Sequence, residues 1–227
     1  MKRGFSILAI VTALLLSFAL YEALIAAPTE RTMGDVQRIF YYHVPSAWTA
    51  FLLFLINFVA SVVFLIRRDT KADILALVTA EVGVVFCTVV LVTGPIWARP
   101  VWGIWWTWDL RLTLTLVLWL IYVSYLVLRR FSTSSQTPVL AAVLAIFGAL
   151  DVPLVYFSIW FFRTQHPSPV IGGGGSLDPR MAHVLLINWA AFLCLAWLVC
   201  WTRFRLEVLE REVEEAQALE SLLEGSR

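Results

Sequence analysis

The chain has 227 residues, 60% of them hydrophobic and 15% charged, with a formal net charge of +1 and a mean hydropathy of +0.82. A soluble domain carries about 45–50% apolar and about 25% charged residues, so the composition excludes an ordinary water-soluble globule and points to an integral membrane protein. The near-neutral balance gives no electrostatic reason to expect nucleic acid as a partner.

A membrane-spanning helix needs about 20 apolar residues. Six segments meet that need: 5–27, 46–66, 74–96, 112–128, 138–162 and 181–202. The expected fold is therefore an all-α polytopic membrane protein with six transmembrane helices. The first segment, with Lys2 and Arg3 ahead of it, also has the outline of a signal peptide, but its apolar run is too long for one and it reads as an uncleaved first helix. Val36, Ile39, Phe40 and His43 recur at helical spacing and predict a short interfacial helix that stops before Pro45. Pro153, beside Asp151, predicts a kink in the fifth span. Gly172–Gly175 forms either a hinge or a plain flexible loop. Residues 206–224 place Leu206, Leu209, Val213, Ala216, Leu219 and Leu223 along one stripe, with seven glutamates around it. That is an amphipathic helix, serving either as a docking element or as a solvated extension. The chain thus divides into a membrane unit, 1–203, and a tail, 204–227.

Eleven Lys and Arg residues flank one set of helix ends and six flank the other. The positive-inside rule puts both termini and the tail in the cytoplasm. Connections 28–45, 97–109 and 163–180 then face outward, on the periplasmic side of a bacterial inner membrane.

The second of these connections is the most unusual stretch. Trp97, Trp102, Trp105, Trp106 and Trp108 fall within twelve residues, broken by Pro100 and Gly103 and closed by Asp109. Tryptophan collects at membrane interfaces, but five in one connection exceed an ordinary belt and suggest a flat aromatic platform. All three histidines, His43, His166 and His183, fall on the same side. Neutral imidazole is a common axial ligand of haem iron, and two imidazoles beside an aromatic platform suit a planar apolar macrocycle. Arg38, Arg99, Arg111 and Arg163 share that side and could pair with propionates. Asp109 precedes the fourth span, where it is placed to cap the helix.

Inside the spans, Glu81 is the most anomalous residue, read either as a functional group or as an ion-pair partner. Asn57 and Asn188 are expected to hydrogen-bond between helices. Cys87, Cys194 and Cys200 form no C-x-x-C pair, which predicts neither a disulfide nor a covalently attached cofactor.

The stretch Trp102-Gly-Ile-Trp-Trp-Thr-Trp-Asp-Leu-Arg-Leu-Thr113 resembles the tryptophan-rich WWD signature of haem-handling proteins. Tyr42-His-Val-Pro-Ser-Ala-Trp48 and Tyr156-Phe-Ser-Ile-Trp-Phe-Phe-Arg-Thr-Gln-His-Pro167 narrow the resemblance to the haem exporter protein C (CcmC) family of the system I cytochrome c maturation pathway. The resemblance implies a WWD segment over 97–112, a platform over 102–109, and His43 and His166 as axial ligands of b-type haem. It implies delivery of haem to the haem chaperone CcmE, with CcmD and the ABC transporter subunits CcmA and CcmB as partners. No enzymatic activity is expected. A haem lyase subunit and a non-haem membrane scaffold for an ABC transporter complex are the alternatives. His183, Glu81, the glycine loop and the acidic tail acquire no role from the resemblance, and the tail is longer than the family leads one to expect.

Overall fold

The computed structural model describes residues 2–162, 164–167 and 177–225. Among them, six helical segments are long and apolar enough to cross a membrane. Helix α1, Lys2–Tyr21, ends in a single π turn, Glu22–Ala26. A 3-10 turn, Asp35–Ile39, leads into α2, Phe40–Arg67. Then come α3, Thr70–Trp102; α4, Leu110–Phe131; α5, Thr137–Ala149; α6, Asp151–Phe161; and α7, Pro179–Gly225.

Three boundaries differ from the sequence expectation, each for a physical reason. The interfacial helix does not stop before Pro45. The 3-10 turn runs into α2, and Pro45 lies within that helix. A proline there leaves only the Tyr41 carbonyl without its usual donor. The tryptophan-rich stretch is partly helical, because α3 continues through Pro95 and Pro100 to Trp102. It is closed by Gly103, whose φ of 81° is the left-handed value glycine tolerates at a helix end. In the fifth span the break falls at Leu150, between α5 and α6. Pro153 carries no N–H for the carbonyl of Ala149 and its ring crowds that carbonyl, so the helix parts just after Ala149, three residues ahead of the proline.

The central pair is α2 and α3, with α7, α5 and α4 around it and α1 lying along α7. Close approach is set by small residues. A Cβ on Gly83 of α3 would lie 2.6 Å from Cε1 of Phe54 on α2. Phe54 is in turn stacked on Tyr122 of α4, with ring centres 3.9 Å apart. Asn57 Nδ2 donates to the Ala76 carbonyl at 2.7 Å and Asn188 Nδ2 to the Ala19 carbonyl at 3.4 Å, so both asparagines join neighbouring helices. The bundle's outer surface keeps large apolar side chains such as Ile7, Leu14, Ile66 and Phe147 exposed, as a lipid-facing surface does.

The tail is not a separate helix. It is the continuation of α7, which runs unbroken from Pro179 to Gly225. Two ionic contacts pin this rod to the bundle. Glu81 of α3 accepts from Arg203 Nε at 2.8 Å and Nη2 at 3.0 Å, which is the ion-pair reading of that carboxylate. Asp73, almost fully buried, accepts from both terminal nitrogens of Arg129 on α4, at 2.5 and 2.8 Å, and from Arg211 Nη2 at 2.9 Å. The three cysteines are free thiols, with Cys87 buried.

Candidate functional site

At the end of the bundle that carries the tryptophans, a cavity of about 650 Å³ opens among α2, α3, α4, α6 and the segments beside α7. His43, His166, Trp97, Trp102, Trp106 and Arg111 are in its wall, and it descends to Ala50, Phe51 and Cys87. It is thus a pocket sunk into the bundle, where the sequence suggested a flat platform. The indoles do not lie flat either: Trp97 and Trp102 meet at 86° and Trp106 and Trp108 at 76°. Trp105 and Trp108 are exposed and outside the cavity wall, at 59% and 76% of their full accessible surface.

His43 is fixed between two helices. It sits near the start of α2, and its Nδ1 is 2.9 Å from Oγ1 of Thr93 on α3. The Thr93 hydroxyl spends its one proton on the Val89 carbonyl, at 2.6 Å. It can therefore only accept from His43, so Nδ1 carries the proton, and in the neutral ring Nε2 keeps a free lone pair. Gly94 lies against the same ring, where a Cβ would be 3.4 Å from His43 Cε1.

His166 follows α6 on a non-helical segment. Its Nδ1 is 2.9 Å from the Pro167 carbonyl, which can only accept. Here too Nδ1 bears the hydrogen and Nε2 is the free nitrogen. Burial, and secondly the charge of Arg111, hold this imidazole's pKa down to about 4, so it is neutral, as a ligand must be. The two imidazole centres are 6.4 Å apart and their planes are inclined at 33°.

Asp109 caps α4 as expected, its Oδ1 accepting from Leu112 N–H at 3.0 Å. Its other oxygen accepts from Thr164 Oγ1 at 2.9 Å, and Thr164 Oγ1 accepts from the His166 N–H at 3.1 Å. The WWD aspartate is thereby linked to the histidine segment, a connection nothing in the sequence signals.

The four arginines separate. Arg111 lines the cavity, and its Nη1 is buried with no hydrogen-bond partner among the described residues. A buried guanidinium nitrogen left unpaired is costly, so this donor is set for an anionic group. Arg38 is instead committed to its own connection, donating to the Ala23 carbonyl at 2.8 Å and to Asp35 at 3.1 Å. Arg99 bonds the Gly103 carbonyl, and neither it nor Arg38 is in the cavity wall. Arg163 and the Gly172–Gly175 stretch lie outside the described residues. Arg31 and Arg180 line the mouth although the sequence reading passed over them. They come from loop ends whose approach to the cavity depends on tertiary folding. At the same mouth, the Met33 and Thr32 N–H groups hold the Glu30 carboxyl below its usual pKa. His183 is outside this cavity and borders a smaller one of about 310 Å³ beside Glu22 and Arg180.

Fold and site together define a polytopic helical membrane protein with a deep pocket that presents two imidazoles, and a guanidinium whose Nη1 is unpaired among the described residues, to an apolar interior. The sequence profile of the Heme exporter protein C family matches residues 1–219. The chain is 35% identical over 217 residues to Heme exporter protein C of Bradyrhizobium diazoefficiens, covering 94% of this chain and 82% of that one. It is 31% identical over 202 residues to Heme exporter protein C of Escherichia coli K12, covering 88% and 82%. The chain belongs to the Heme exporter protein C family. The match runs to residue 219, so most of the tail lies within the family's extent, contrary to the sequence expectation.

Proposed function

We propose that this chain holds b-type haem in the cavity, with its iron between Nε2 of His43 and Nε2 of His166, and passes it to a haem chaperone for cytochrome c maturation. The observation that carries this is the spacing of the imidazoles. With metal–imidazole bonds of about 2.0–2.1 Å, two imidazoles on opposite sides of one metal hold their ring centres roughly 6.3 Å apart. The observed separation is 6.4 Å, and hydrogen bonding leaves the same nitrogen free on each ring. Among the described residues no three His, Cys, Asp or Glu side chains gather as a metal site. A bare ion would therefore be short of ligands between two imidazoles, whereas a porphyrin brings four nitrogens of its own.

The protein's part is binding and orientation. Apolar walls take the ring and Arg111 neutralises a propionate, while at the mouth Arg31 and Arg180 are matched by Glu30 and Asp178. Bonds to iron are coordinate, so loading and release need no covalent chemistry, and the chain acts as a carrier without enzymatic activity. The excess of Lys and Arg at the opposite helix ends supports a periplasmic cavity and a cytoplasmic tail in a bacterial inner membrane. CcmE is the acceptor on this reading, with CcmD, CcmA and CcmB as the remaining members of the complex.

The test is the visible spectrum of the purified chain, oxidised and dithionite-reduced, beside His43→Ala and His166→Ala. The expected result is a low-spin b-type spectrum in the wild type, lost or converted to high spin in each variant. A wild-type chain that takes up no haem after reconstitution, or variants with unaltered spectra, would overturn the ligand assignment.

A further inference from the structure

The two imidazoles are not held alike. His43 belongs to α2 and leans on α3 through Thr93 and the bare face of Gly94, so it moves only if a helix moves. His166 stands five residues beyond Phe161, the last residue of α6. Among the described residues its backbone is tied to the bundle through one hydroxyl, that of Thr164, which receives the His166 N–H at 3.1 Å and donates to Asp109 at 2.9 Å. Asp109 is rigid because its other oxygen caps α4.

We propose that Asp109 and Thr164 form a catch on His166, making His166 the axial ligand that lets go during haem transfer while His43 stays bound. The proposal rests on the reading of His43 and His166 as axial ligands. It also assigns the aspartate that ends the tryptophan-rich stretch to positioning a ligand, not to contact with the macrocycle. Among the described residues the carboxylate accepts one hydroxyl proton across the gap, so the tether is a single hydrogen bond. A single hydrogen bond to a carboxylate shifts an equilibrium by roughly 10- to 100-fold, which a docking protein making several such contacts can outcompete. When it opens, the iron–Nε2 bond to His166 breaks, the imidazole leaves with its electron pair, and the vacated position accepts a donor from the receiving protein. The iron does not change oxidation state in this exchange.

Carbon monoxide reports the step directly, since it binds ferrous haem only at a vacated axial position. The full chain, loaded with haem and reduced with dithionite, is mixed with carbon monoxide. Thr164→Val is expected to take it up roughly 10- to 100-fold faster than wild type, the range found when a partner orienting a metal ligand is removed. Thr164→Ser, which keeps the hydroxyl, is expected near the wild-type rate, as is His183→Ala. A second readout uses the haem-free chain labelled with ¹⁵N-histidine. It contains three histidines, and Thr164→Val should shift the His166 resonances, identified by their absence from His166→Ala, while His43 remains protonated at Nδ1. A low-spin wild type whose carbon monoxide rate is unaltered in Thr164→Val overturns the catch and leaves the ligand pair standing. Equal acceleration in Thr164→Ser and Thr164→Val overturns it too, because the hydroxyl would then be irrelevant. A wild type without a bis-histidine spectrum removes the ligand reading and the catch together.

Discussion

At the scale of single residues, the cavity is organised by where protons reside. Thr93 has one hydrogen and gives it to Val89, so His43 must supply the next. Arg111 has a donor left over, and this is the arginine whose removal matters for binding. Arg111→Gln is expected to weaken haem binding roughly 10- to 100-fold, the worth of a charged hydrogen bond, whereas Arg99→Gln leaves it nearly unaltered. Haem titration of the purified variants compares the two. The His166 pKa of about 4 lies below the ordinary 6.5, so the fold favours the neutral ring. That contribution stands in full above about pH 6.5 and is lost as the pH falls toward 4. In the haem-free protein the ¹⁵N signals of His166 should accordingly titrate near pH 4. The sequence made the two histidines legible through the motifs around them. It did not separate Arg111 from Arg38 and Arg99, because the three differ only in what their guanidinium groups meet after folding. Thr93 and Thr164 carried no signal at all. Threonine in an apolar run or a short loop is too common to single out until its hydroxyl is seen beside a histidine.

At the scale of elements, the helices were legible as apolar runs and their ends were not. Pro45 looked like a stop, yet it falls early enough in α2 to forfeit one hydrogen bond and no more. Pro153 does break its span, three residues upstream of itself. The packing of α2 on α3 depends on Gly83, which has no Cβ where Phe54 needs room. Phe54 is buried and stacked on Tyr122, so it has nowhere to go. Gly83→Ala should therefore cost about 1–3 kcal/mol, as overpacking does, and appear as a lower thermal midpoint in detergent. An unaltered midpoint would mean that the two helices separate more easily than their packing implies. Gly94, where an added Cβ makes ordinary contact at 3.4 Å, is expected to accept alanine with little loss of stability.

At the scale of the whole molecule, the buried Asp73 gathers α3, α4 and α7 through Arg129 and Arg211. Removing the carboxylate strands two guanidinium groups in a poorly hydrated place. Asp73→Ala is thus expected to destabilise the bundle by about 3–5 kcal/mol, and Arg211→Ala by less, since Arg129 still satisfies Asp73. Thermal unfolding measures the first. Limited proteolysis measures the second, with cleavage of the tail faster in Arg211→Ala than in wild type.

The unbroken α7 has a mechanical meaning. Met181, near one end of the rod, is part of the cavity wall, and Arg203 holds the rod against Glu81. At 1.5 Å per residue, Arg203 is about 33 Å from Met181 and about 33 Å from the far end of the helix. The Arg203 contact thus lies midway between the cavity wall and the far end, and the Asp73–Arg211 contact adds a second hold about two turns further along the tail. With α1, α2 and α3 packed along its membrane half, the rod acts as a splint that ties the cavity wall and the first turns of the acidic tail to one bundle.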